Sequence, residues 1–122
     1  MTWIGGSGDW LFSDTVAGKT VTNWAPADID GNQRLPSAGD VACLPAGDYT
    51  VTKAPSGFYS INGLVIGDSS DGAQPKLQLS GNLGVANTKN HGTFELADGA
   101  GFSVGGGNGA ITSVVLENFG TL

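Results

Sequence analysis

The chain has 122 residues, with eleven Asp and Glu against five Lys and Arg, a formal charge of −6 and only 13% charged residues. That length fits one domain with an ordinary core. The cations Lys19, Arg34, Lys53, Lys76 and Lys89 are scattered, so no basic patch can neutralise phosphates and nucleic acid is not an expected partner. Nothing approaches the ~18 consecutive apolar residues that argue for a membrane-spanning helix.

Residues 1–39 hold all three tryptophans, Trp3, Trp10 and Trp24, among loop-like stretches such as Gly5-Gly6-Ser7-Gly8-Asp9. Met1 runs straight into this Trp-rich opening, which reads as a start placed after a removed leader. The next turn-rich stretch contains Asp28, Asp30 and Asn32 in alternation before and after Gly31. Alternating oxygen ligands suit calcium, but no downstream Glu falls at the offset a calcium loop needs, and turn chemistry explains the same letters. Asp28, Asp30 and Asn32 are the candidate metal ligands, with calcium the possible ion and no other cofactor expected.

From Asp40 onward the sequence reads as short strands divided by turns. Val41–Leu44 is apolar, and the lone Cys43 inside it is expected to be a buried, inert thiol. Tyr49–Thr52, Gly63–Ile66, 76–79, 93–96 and 101–104 are alternating or apolar, and 111–116 closes the series. Gly, Pro, Asn and Asp cluster between them, and no stretch carries a sustained helical period. The fold class is therefore all-β. Asn62, Asn90 and Asn118 recur at a spacing of 28, and Ile66, Phe94 and Leu122 keep the same phase. A period in this range marks coils that bury their apolar faces only against neighbours. The expectation is a right-handed parallel β-helix, a β-solenoid, with 1–39 as a Trp-rich N-terminal cap and 40–122 as coils. The three asparagines should then stack at equivalent bends, and Ile66, Phe94 and Leu122 should form one interior column. A sandwich or jelly roll is the alternative, with Asp71-Gly72, Asp98-Gly99 and Asn108-Gly109 as hairpin turns.

The segments Trp3-Ile4-Gly5-Gly6-Ser7-Gly8-Asp9-Trp10, Asn23-Trp24, Pro36-Ser37-Ala38-Gly39-Asp40-Val41 and Asn118-Phe119-Gly120-Thr121-Leu122 carry a resemblance across most of the chain. It resembles the N-terminal module of bacterial β-helical secreted proteins, adhesin-like, autotransporter-passenger-like and pectin-lyase-like. That resemblance implies a secreted or cell-surface bacterial protein, of which this chain is a fragment ending inside a repeat.

The function expected is non-catalytic: adhesion or carbohydrate binding, with a polysaccharide or cell-surface glycan and further coils of its own chain as partners. Aromatic faces stack on sugars, so Tyr49, Phe58, Tyr59 and Trp10 are the candidate ligand-binding residues, although core packing for the first three and the cap for Trp10 are the stronger readings. Trp3 and Trp24 are expected to cover the end coil. No catalytic residue is expected. Glu95 and Glu117 are the strand-borne acids, but their separation of 22 is out of phase with 28. His91 reads as a solvated turn residue with no Ser, Cys or carboxylate at a recognisable spacing in the sequence, and the run 105–109 lacks the Lys and the helix of a phosphate cradle. Two other functions stay open: a structural cap or stalk of a longer solenoid, and a non-catalytic fragment of a polysaccharide-active enzyme.

Overall fold

Strand formation follows the alternation of apolar and polar side chains, and in the computed structural model it extends further than the sequence pattern suggests. The structure describes residues 1–53, 58–97, 100–104 and 115–118, with 58, 59, 103, 104 and 115–118 described by main chain alone. Among these residues there are strands and no helix. In chain order they are β1 (Thr2–Trp3), β2 (Gly8–Asp9), β3 (Ser13–Val16), β4 (Lys19–Thr22), β5 (Trp24–Ala25), β6 (Val41–Leu44), β7 (Thr50–Lys53), β8 (Phe58–Ile66), β9 (Lys76–Leu79), β10 (Asn82–Asn90), β11 (Thr93–Leu96), β12 (Gly101–Val104) and β13 (Val115–Asn118).

Three sheets result. The larger runs β12-β10-β8-β6-β1-β5, with β13 also on β10; the smaller runs β11-β9-β7-β2; β3 and β4 form a separate hairpin. Most pairs are parallel, but β1–β5 and β3–β4 are antiparallel. Inward positions alternate with outward ones. Ala42, Leu44, Leu64, Ile66, Leu83 and Val85 of the larger sheet join Val51, Leu77, Leu79 and Phe94 of the smaller in a single buried cluster. The two sheets therefore share one core. In β8, Ile61 and Leu64 are both buried while Asn62 between them is exposed. In β10, Val85 and Thr88 are buried around an exposed Asn87. The inward phase thus slips by one residue at matching points of neighbouring strands, as it does where strands bend together.

The architecture corrects the expected right-handed parallel β-helix. No closed solenoid is found among the described residues; parallel and antiparallel strands combine in mixed sheets. The register gives the physical reason. Val41 stands opposite Gly63, an offset of 22, and Gly63 stands opposite Asn87, an offset of 24. Only the β10–β13 pair has the offset of 28, with Asn90 opposite Asn118. Asn90 faces Ile66 on its other side, not Asn62. Asn90 and Asn118 are thus register partners, whereas the equal spacing of Asn62 and Asn90 does not mark equivalent positions. Ile66 and Phe94 lie in different sheets, so the expected column does not form; Leu122 lies outside the described residues. Hairpin turns at Asp71-Gly72 are not found either, since β8 and β9 on its two sides belong to different sheets. Residues 98–99 and 108–109 lie outside the described residues.

The Trp-rich cap is corrected likewise. Residues 1–39 are not a lid: β1 and β5 extend the larger sheet, β2 extends the smaller, and β3–β4 is a hairpin of its own. Trp3, Trp10 and Trp24 are at most 3% exposed and belong to the common core. Trp24 packs edge-on against both others, at 5.3 Å from Trp3 and 4.7 Å from Trp10 between ring centroids. Its Nε1 donates to the Trp10 carbonyl at 3.1 Å.

Candidate binding groove

Outward-facing positions of β6, β8 and β10 lie side by side because the three strands are parallel and in register. Val41, Gly63 and Asn87 form one row, and Cys43, Val65 and Lys89 the next. Gly63 places no side chain between Val41 and Asn87, so the sheet surface dips there. A Cβ at Gly63 would lie 3.2 Å from a Val41 methyl, so depth depends on this residue being glycine. The dip opens into a groove of about 310 Å³ lined by Val41, Asn62, Gly63, Val65, Asn87 and Lys89, together with their strand neighbours. Its walls combine valine methyls with two carboxamides and one ammonium group. Among the described residues none of its lining is acidic, on a chain of net −6. Glu117 holds the register position beside Lys89 on β13.

Of the residues expected from sequence to bind a ligand, Trp10 and Tyr49 do not line this groove. Trp10 is fully buried against Trp24, so it has no face for a sugar and is withdrawn as a candidate. Tyr49 is half-buried; its hydroxyl donates to the Pro45 carbonyl, and burial pushes its pKa up to about 12. Phe58 and Tyr59 are strand residues of β8 whose side chains lie outside the description. The groove-lining residues escaped the sequence reading because their signal is cross-strand register, and β10 was not recognised as a strand.

The candidate calcium ligands form a closed turn instead. Asp28 Oδ1 accepts from the amides of Asp30 and Asn32, both at 2.9 Å. Asn32 Oδ1 accepts from the Thr20 amide at 2.9 Å, and Lys19 Nζ donates to the Asp30 carbonyl. Two of the three proposed ligand oxygens thus satisfy main-chain amides, and the loop is fastened to β4. No cluster of three or more His, Cys, Asp or Glu side chains converges among the described residues.

The perturbed carboxylates are structural. Arg34 grips Asp40 in a two-pronged ion pair, and Ser37 donates to the same carboxylate through its amide at 2.8 Å and its hydroxyl at 3.1 Å. These contacts, Arg34 foremost, hold Asp40 far below the usual carboxylate range. Glu95 is lowered by the donated hydrogen bond of Gln78 and then by Lys76. Asp68 is lowered first by Ser70, whose amide and hydroxyl both donate to it. Cys43, expected to be buried, is a free, half-exposed thiol on the outer face. Glu95 and Glu117 are both on strands but in different sheets.

No family model matches the chain, and no curated protein and no solved structure matches it either.

Proposed function

We propose that this chain is a non-catalytic binding module of a secreted or surface protein, and that it holds a neutral glycan in the β6–β8–β10 groove. The observation that supports this is the lining: an apolar floor of Val41 and Val65 beside the Asn62 and Asn87 carboxamides, without a carboxylate among the described lining residues. Valine methyls suit the C–H face of a sugar ring, and a carboxamide both donates to and accepts from hydroxyls. A volume near the lower end of ligand pockets, which run from ~300 Å³ upward, suits one or two rings. Few polar contacts and little burial give weak binding, on the order of millimolar, or roughly 4 kcal/mol.

Isothermal titration with neutral and anionic oligosaccharides, at low and high salt, tests the reading. A neutral sugar should bind with little salt dependence, since no ion pair contributes. Gly63→Val should abolish the binding by filling the dip while circular dichroism stays native. Binding that survives Gly63→Val, or a response confined to anionic polymers and lost in salt, overturns the proposal.

A further inference from the structure

The β3–β4 hairpin stands apart from both main sheets, and no strand among the described residues pairs with the outer edge of β3. All four residues of β3 are exposed. Which of its main-chain groups face outward follows from β4. Thr20 donates its amide to Asn32 Oδ1 at 2.9 Å and accepts from the Gln33 amide at 2.9 Å; Thr22 donates its amide to Gln33 Oε1 at 2.8 Å. The main-chain groups of Thr20 and Thr22 therefore point away from β3. In an antiparallel ladder, their partners Thr15 and Ser13 then also point away, out to the free edge. Three of the groups so placed, the Ser13 amide and the Ser13 and Thr15 carbonyls, face solvent. The fourth, the Thr15 amide, is covered by Oδ1 of Asp14 at 2.8 Å.

This edge is complementary to itself. Antiparallel pairing of two copies would bring outward residues together, Ser13 with Thr15 of the second copy and the reverse. The two-fold axis would then pass between the two Asp14 residues. Phe12 and Val16, 43% and 56% exposed, would meet as flanking apolar pairs. The centre of such a ribbon is a non-hydrogen-bonded pair with Cα atoms ~4.5 Å apart. Two carboxylates placed there repel each other, and each would have to leave the Thr15 amide. Inward or edge charges are a known means of blocking strand addition.

We propose that Asp14 is a guard residue that keeps the β3 edge from pairing with the β3 edge of a second copy of this chain. Its carboxylate covers the Thr15 amide, one of the two outward amides of the edge, and opposes its own symmetry mate. Replacing it with an uncharged β-former opens a self-complementary edge with Phe12 and Val16 on either side.

Sedimentation velocity of the whole chain at a series of concentrations tests this. The wild type should sediment as a monomer. Asp14→Thr should shift to a dimer at concentrations where the wild type does not, with an unchanged far-ultraviolet spectrum. Asp14→Thr combined with Ser13→Pro, which removes an outward amide, should return to the monomer. A wild type that already dimerises through this edge, an Asp14→Thr variant that stays monomeric while folded, or a dimer that persists in the proline variant overturns the proposal.

Discussion

Lys53 is the most demanding residue of the core. It ends β7 with its side chain facing inward, fully buried, beside Leu79 of the next strand. Trp10 follows β2 on the other side, its amide donating to the Thr52 carbonyl at 2.7 Å. Burial disfavours the ammonium form and lowers the pKa; the nearby Asp9 carboxylate opposes this and does not overcome it. The sign of the consequence follows from proton counting. The folded pKa lies below the free-lysine value of ~10.4, so in between the unfolded chain binds more protons. Stability therefore rises with pH from the depressed folded value up to about pH 10.4. Tyr49 acts in the opposite sense only above that window, because its pKa is raised to about 12: its contribution is intact below ~10 and lost as pH rises through 12. Urea unfolding should show the wild type gaining stability as pH rises towards ~10.4. Lys53→Met, which carries no titratable group, should flatten that rise. A pH dependence unchanged in the variant would mean another group is responsible.

Among the elements, the tightest junction is between β10, β11 and the loop that precedes β9. The His91 amide donates to the Ile66 carbonyl at 2.8 Å, and the Thr93 amide to the Pro75 carbonyl at 3.1 Å. Asn90 is fully buried, and its Oδ1 accepts from the Gly92 amide at 3.0 Å. A Cβ at Gly92 would lie 2.1 Å from the Pro75 carbonyl oxygen. Main chain cannot yield as a flexible side chain can, so Gly92→Ala should cost about 1–3 kcal/mol, in the range of overpacked sites. A loss of unfolding free energy in urea below about 0.3 kcal/mol would show that the junction opens freely. The same elements show what was legible in the sequence. β9, β11 and β12 stand where the alternation put them: Leu77 and Leu79 of β9 and Phe94 of β11 face the core, while Leu96 at the end of β11 is exposed. β10 was missed: Asn82-Leu83-Gly84-Val85-Ala86-Asn87-Thr88-Lys89-Asn90 is rich in poor strand formers. It is held extended by β8 on one side and by β12 and β13 on the other, an override that local pattern cannot display. The β3–β4 hairpin was missed because its turn is Ala17-Gly18, both at positive φ, and not the Asn-Gly or Asp-Gly pair that signals such a turn. The groove depends on the register of these strands, so missing β10 also concealed the candidate site.

At the scale of the whole molecule, two sheets must be joined at the end where their first strands are only two residues long. β1 and β2 contribute few ladder hydrogen bonds, so side chains have to hold that end together. Trp24 supplies the joint. Through β5 it belongs to the larger sheet, opposite Trp3, while its ring and its Nε1 engage Trp10, which continues the smaller sheet. The three rings are buried in the same cluster as the leucines and valines of the later strands, so loss of the joint should be felt throughout the core. Trp24→Ala should therefore cost about 3–5 kcal/mol, the usual penalty for a large buried aromatic. Trp24→Phe should cost less, since it keeps an edge-on ring but gives up the hydrogen bond to Trp10. Both losses should appear as one unfolding transition, reported equally by tryptophan fluorescence and by far-ultraviolet circular dichroism, because the two sheets share one core. If Trp24→Ala instead melts the fluorescence signal early and leaves the strand signal in place, residues 1–39 unfold separately, and the later strands do not need the tryptophan joint to remain assembled.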